Sequence, residues 1–149
     1  MEIRPLRHDE LAAGLALIAD YQRFYGVAQP DEARNAAFFA RFVAPSDAGE
    51  LLGAFAGGAL IGYACLYWTF SSVSATDVVL LNDLYVLPEQ RGDRVGEALI
   101  AATVAVARDR GAARVRWWTA IDNRRAQRLY ERTGAERSAW FEYEIDATG

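Results

Sequence analysis

The most chemically suggestive stretch of this chain is Pro88-Glu89-Gln90-Arg91-Gly92-Asp93-Arg94-Val95-Gly96. It lies between a run of β-forming residues and a run with helical apolar periodicity, so it reads as a strand feeding a turn into a helix N-terminus. The first backbone N–H groups of a helix have no intrahelical partner, and the helix dipole adds partial positive charge there. A phosphate group satisfies both. Gly92 permits a turn conformation or a close approach. Gly96, one turn into the helix, costs stability relative to alanine, which implies a neighbour that needs it small. Arg91 and Arg94 add charge-assisted donors. An ordinary βα turn accounts for the same residues. The Gly-x-Gly-x-x-Gly dinucleotide pattern is missing, and no Gly-Lys-Ser/Thr follows to make a P-loop.

Other side chains suited to a site are scattered. Asn82 and Asp83 are adjacent on a strand, so alternation sends them to opposite faces and only one can face a site. Tyr21, Phe24, Tyr25, Trp68, Phe70, Trp117 and Trp118 fit an aromatic cage for a cation, but most such residues belong to core packing. Of these, Tyr25 and Trp68 are taken as substrate-pocket residues. His8, the sole histidine, sits beside a helix start and suits capping or the surface.

The elements that must position these residues follow from periodicity and breakers. Glu2–Leu6 is a short strand. A helix runs from about Asp9 to Tyr25 and stops at Gly26. Pro30-Asp31-Glu32 opens a second helix. Leu51–Phe55 and Ile61–Phe70 form a hairpin about Gly57-Gly58. Val78–Leu87 is a third long strand. A helix follows from Val95 to about Arg110, then a strand at Arg114–Thr119 and a helix at Asn123–Arg132. Two short strands, Ala135–Arg137 and Trp140–Ile145, close the chain. The order β-α-α-β-β-β-α-β-α-β-β predicts one α/β domain over residues 1–149, with a mixed sheet and helices on its faces.

The 149 residues allow one domain with a real core. No apolar run approaches the ~18 residues needed to span a membrane, and the N-terminus lacks the pattern of a secretory signal. Cys65, the one cysteine, lies among apolar residues and is expected to be a buried thiol in a cytoplasmic protein. The net charge of −4 argues against nucleic acid and suits a cationic substrate. Arginines cluster locally between Arg108 and Arg137.

Leu80-Leu81-Asn82-Asp83-Leu84-Tyr85-Val86-Leu87-Pro88 followed by Gln90-Arg91-Gly92-x-x-Val95-Gly96 resembles the acyl-CoA motif of the GNAT N-acetyltransferase superfamily. The segment Asp122-Asn123-Arg124-Arg125-Ala126-Gln127-Arg128-Leu129-Tyr130-Glu131-Arg132-Thr133-Gly134-Ala135 resembles its second signature, and Ile3-Arg4-Pro5-Leu6 its first strand. Within the superfamily, Tyr67–Ser72 leading into Asp83–Val86 looks closest to the diamine and thialysine branch. The resemblance implies a GNAT-like, mostly antiparallel sheet and acetyl-CoA as co-substrate, with no metal. It implies that the backbone of Leu84, Tyr85 and Val86 pairs with the pantetheine arm. Arg91, Gly92, Asp93, Arg94, Val95, Gly96 and Glu97 would surround the pyrophosphate. Asn123 would bond the pantetheine arm, Ala126 would lie beside the cofactor, and Tyr130 would stand near the thioester sulfur. Two departures matter. The family often has glycine at the position of Arg94, and the diamine branch commonly has an acid at the position of Asn82.

The implied reaction moves an acetyl group to a primary amine, of a small cationic molecule such as a polyamine or thialysine, by direct attack on the thioester. Tyr130, with a phenol pKa near ~10, is the expected acid for a leaving thiolate whose conjugate acid is near ~8.5. A backbone N–H of Leu84–Val86 is placed to stabilise the oxyanion. A neutral Asn82 cannot serve as a carboxylate base; Glu142 or Glu144 on the last strand are the candidate bases, against a plainer reading as solvated strand-edge acids. Acetylation of a protein lysine or α-amine, and a non-catalytic acyl-CoA binding module, are the alternatives. Many members of the superfamily are dimers, so the resemblance admits a homodimer.

Overall fold

A computed structural model describes residues 1–149. Five strands lie in the order in which they occur along the chain: β1 (Glu2–Pro5), β2 (Gly49–Ala56), β3 (Ala59–Ser71), β4 (Thr76–Val86) and β5 (Arg114–Arg116). The first four pair antiparallel, and β5 joins β4 in parallel. The β2–β3 hairpin turns on Gly57 and Gly58, whose φ values of 56° and 83° are the paired positive angles that a two-residue turn of this hand requires.

Helices cover both faces. Helices α1 (Leu11–Phe24) and α2 (Glu32–Phe39) cover one, burying Leu17, Ile18 and Phe39 against Leu51, Phe55, Tyr63 and Cys65. Helix α3 (Val95–Asp109) covers the other, burying Val95, Leu99, Ile100 and Ala107 against Leu52, Ala64, Leu66, Val79 and Leu81. Helix α4 (Arg124–Arg132) adds Leu129 and Tyr130 to the margin of this second core. Three of the helices stop where the sequence provides a breaker: Gly26, Gly111 and Gly134 follow α1, α3 and α4 with φ of 89°, 70° and 78°.

Two local features shape β4. Cys65 pairs with Asp83 but Leu66 pairs with Leu81, so Asn82 is an extra residue bulged out of β4. And β4 pairs with β3 along its whole length, but with β5 only over Val78–Leu80. Beyond Leu80 the two parallel strands separate.

The end of the chain differs from the sequence-based expectation. β5 stops at Arg116 instead of continuing to Thr119, and neither Ala135–Arg137 nor Trp140–Ile145 is a strand. A strand needs a partner for its N–H and C=O groups. Within one chain this last segment has none, and Trp140, Phe141, Tyr143 and Ile145 are 85–93% exposed.

Candidate functional site

The gap between β4 and the segment after β5 is the mouth of a cleft of about 370 Å³. Its floor is the unpaired side of β4, with Leu81, Asn82, Leu84, Tyr85 and Val86. One wall is the turn into α3, from Gln90 to Glu97. The other is Trp117, Trp118, Asn123 and α4, and Tyr21, Phe24 and Tyr25 of α1 and its C-terminal end stand over one end.

The turn is built as the residue types demand. Gly92 has φ of 106°, and a β-carbon there would meet nothing within 4 Å, so its role is conformational rather than close approach. Arg94 has φ 60° and ψ 18° and caps α3 without a side-chain hydrogen bond. That is a left-handed conformation, not an ordinary one, in a position where the resembled family favours glycine. No side chain caps the helix, so the N–H groups of its first turn remain open to a ligand. Gly96 is small for α4: an added β-carbon would sit 2.9 Å from Leu129 Cδ2. Glu97 accepts from Arg132 Nε at 2.9 Å and ties the two walls together. Arg91 donates through Nε to the Val86 carbonyl at 2.9 Å, holding the turn against the end of β4.

On the far wall, Asn123 Oδ1 accepts from Ala126 N at 3.2 Å and starts α4, leaving its Nδ2 without a partner in the chain. Tyr130 packs edge-on against Trp117 at 5.4 Å between ring centres. Burial, and then the proximity of Tyr25, push its phenol up to about 12, so it holds its proton at neutral pH.

The bulge corrects the expectation that Asn82 and Asp83 face opposite ways. Asn82 Nδ2 donates both to Tyr67 Oη at 3.2 Å and to Asp83 Oδ1 at 3.0 Å. The extra residue shifts the alternation, and the two side chains meet on the α1 side of the sheet. Asn82 lines the cleft, while Asp83 lies behind it, 7% exposed. Burial pushes the Asp83 carboxyl up to about 6; the Tyr21 hydroxyl and the Asn82 amide pull it back. Because the Asp83 oxygen takes the amide nitrogen, the Asn82 carbonyl is the end left for the cleft.

Of the residues singled out in the sequence, Tyr25, Asn82, Leu84, Tyr85, Val86, Arg91, Gly92, Arg94, Val95, Gly96, Glu97, Asn123, Ala126 and Tyr130 all line this one cleft. Asp93 does not; it is on the exposed side of the turn. Trp68 does not either. It lies in a separate hollow with Arg110 stacked 3.8 Å over its ring and Nε1 donating to the Ser46 carbonyl at 3.0 Å, so it fastens a loop to the sheet. Glu142 and Glu144 lie on the exposed last segment, away from the cleft. Arg125, Arg128 and Arg132, noted in the sequence only as part of an arginine cluster, and Tyr21, left there between a cage and core packing, also line the cleft. Their signal was present as an arginine every three to four residues, which places them along one side of a helix.

The arrangement thus has a cationic, N–H-rich half at α3 and α4 and a half with a buried acid behind an amide and two tyrosines. The model of the acetyltransferase (GNAT) family matches residues 15–135. The chain is 34% identical to the uncharacterized N-acetyltransferase YhfO of Bacillus subtilis over 141 residues, 95% of this chain and 93% of that protein. It is 34% identical to the thialysine N-epsilon-acetyltransferase of Bos taurus over 80 residues, 54% of this chain and 46% of that one. A crystal structure of a probable acetyltransferase superposes with a TM-score of 0.88 at 28% identity, covering 100% of this chain and 99% of that one.

Proposed function

Because this chain belongs to the acetyltransferase (GNAT) family and is an acyl-CoA-dependent N-acetyltransferase, we propose that its acceptor is the primary amine of a small cationic molecule, polyamine- or thialysine-like. The observation that carries this reading is Asp83, a carboxylate buried behind Asn82 at the end of the cleft over which Tyr21 and Tyr25 stand. An acid there lowers the energy of a cation, and aromatic faces favour it further. The partial likeness to a thialysine acetyltransferase points the same way.

Acetyl-CoA supplies the activated thioester. The residues suited to hold its phosphates are the open N–H groups at the start of α3, helped by Arg94, Arg125 and Arg128. The unpaired edge of β4 at Leu84–Val86 offers backbone groups for the pantetheine arm and an N–H for the oxyanion. Asn123 Nδ2 is a further free donor. At the other half, the Asn82 carbonyl accepts from the amine and orients it. Asp83, ionised above pH 6, balances the ammonium and takes up its proton through Tyr21 or water. Tyr130, protonated at neutral pH, donates a hydrogen bond to the departing sulfur and stabilises the thiolate as it forms.

A panel of polyamines, amino acids, thialysine, aminoglycosides and peptides, read by thiol release from acetyl-CoA, tests the acceptor. Diamines or thialysine should lead; a peptide as best acceptor would displace this reading. Tyr130→Phe should lower kcat by about 10²-fold, within the usual range of acid–base contributions. Unchanged turnover would remove Tyr130 from the chemistry.

A further inference from the structure

The Tyr63 hydroxyl is the one buried side-chain polar atom of the chain without a hydrogen-bond partner. Its ring packs beside those of Tyr21 and Tyr85, 6.2 Å from each between centres. Phenylalanine would pack as well, so packing accounts for the ring and not for the hydroxyl. A buried hydroxyl costs free energy unless it is paired, and such groups in folded proteins are paired with protein or with ordered water. The ladder shows what this one faces. Tyr63 is opposite Tyr85, and Cys65 is opposite Asp83. Residues two apart on a strand share a face, so all four side chains lie on the α1 side of the sheet. Tyr63 and Asp83 are then diagonal neighbours, roughly 7–8 Å apart and within reach of long side chains. From α1, Asp83 meets Tyr21, with Tyr25 behind it; from β3 it meets Tyr63, Cys65 and Tyr67; from its own strand it meets Asn82. Arg41, in the turn after α2, acts on Tyr67 and not on Asp83. The acid therefore has neutral neighbours and no cation. Burial, and then the nearness of Asp83, hold the Tyr63 phenol well above its ordinary value, so Tyr63 keeps its proton and is able to donate it in a hydrogen bond.

We propose that the Tyr63 hydroxyl holds one internal water against the Asp83 carboxylate, which makes Tyr63 a positioning residue for that acid. Its catalytic consequence rests on Asp83 being the group that takes the proton of the acceptor amine. Water is the occupant that fits. Tyr63 and Asp83 share no direct hydrogen bond, and polar groups separated by more than about 3.5 Å are commonly joined through one. A buried water needs two to four polar partners. Tyr63 Oη and a carboxylate oxygen are two, and the Tyr21 hydroxyl and the Cys65 thiol belong to the same group. The carboxylate has capacity for it, since its oxygens offer about four lone-pair sites and the Asn82 amide and Tyr21 hydroxyl take at most two. Burial excludes a larger ligand: Tyr63 and Cys65 are 0% exposed and Asp83 only 7%. The Tyr63 O–H donates to the water, and the water donates to Asp83. A hydrogen bond given to a carboxylate favours its ionised form, so the water acts where a cation otherwise would.

Tyr63→Phe keeps the ring and removes the hydroxyl. Carboxyl-carbon NMR of the free enzyme, with the Asp83 resonance assigned by its loss in Asp83→Asn, reads the ionisation of this acid directly. Loss of a donor to the carboxylate should raise its titration midpoint by about 0.5–1 pH unit. The limb of kcat/KM near pH 6 should move up with it. A tyrosine that only packs would change stability and leave the midpoint in place. An unmoved or lowered midpoint therefore overturns the proposal. A second measurement needs no variant. A high-resolution crystal structure of the wild-type chain should show an ordered water within hydrogen-bond distance of both Tyr63 Oη and an Asp83 oxygen; a direct bond between the two side chains, or a dry contact, would equally overturn it. The role of Asp83 fails separately: a midpoint that rises while the limb stays put supports the water and removes Asp83 from the proton transfer.

Discussion

At the scale of single residues, Asp83 is the group whose chemistry is set most strongly by its surroundings. Its carboxyl titrates at about 6 in the folded chain, against about 3.9 when unfolded. Between those values the native state holds a proton that the unfolded state has released, so stability falls as pH rises through this window and stays lower above it. Two pH units correspond to roughly 3 kcal/mol as an upper figure. Replacing the carboxylate by an amide removes that cost. Asp83→Asn is therefore expected to gain about 1–2 kcal/mol of unfolding free energy at pH 8 and little at pH 4, measured by urea titration at both. An equal change at the two pH values would contradict a buried charge. The same substitution should flatten the limb of kcat/KM near pH 6, because the wild-type limb reflects ionisation of this acid. A stabilised but slower enzyme would mark Asp83 as retained for function at the expense of fold.

At the scale of elements, the turn between β4 and α3 shows the same tension. Arg94 occupies the left-handed region, which costs an L-residue about 1–2 kcal/mol and glycine nothing. Arg94→Gly should raise unfolding free energy by about 1 kcal/mol. It should also weaken CoA binding by up to about fivefold, the ~1 kcal/mol ceiling of an exposed ion pair. Calorimetric titration with CoA beside a thermal melt separates the two effects; tighter CoA binding in the variant would mean that the guanidinium does not face the phosphates. Turn, glycines and helix α3 were legible in the sequence, because breakers and a 3.6-residue apolar period mark them locally. The bulge at Asn82 was not. Nothing about Leu81-Asn82-Asp83 announces an extra residue, since a bulge belongs to a pair of strands, and so strict alternation sent the two side chains apart. Trp68 misled for a related reason. An indole reads alike whether it faces a ligand or Arg110 and the Ser46 carbonyl, and only tertiary placement distinguishes them. The segment expected to form strands after Gly134 has the right alternation at Trp140–Ile145, but no partner for it lies in the same chain.

At the scale of the whole molecule, the cleft is where separately stabilised parts meet. β4 belongs to the sheet and touches both cores, α3 packs on one face, α1 on the other, and α4 is held by Leu129, Tyr130 and the Glu97–Arg132 pair. A ligand spanning β4, α3 and α4 therefore ties the most peripheral helix to the most central strand, and it binds no such surface in the unfolded chain. Its contribution to stability follows mass action, about 2.7 kcal/mol at a hundredfold excess over the dissociation constant. For a domain of this size that corresponds to roughly 5–10 °C in Tm, at about 2–4 °C per kcal/mol. CoA is thus expected to raise Tm by that much. Because Arg91, Arg94, Arg125, Arg128 and Arg132 all line the cleft, the shift should shrink as salt rises from about 50 to about 500 mM. Dephospho-CoA keeps the pyrophosphate and loses one phosphate, so it should retain most of the shift with a weaker salt dependence. Were both ligands to leave Tm unmoved at saturating concentration, the cleft would not be the nucleotide site. A shift indifferent to salt would instead assign the binding to backbone N–H groups and the pantetheine arm, with the arginines as bystanders.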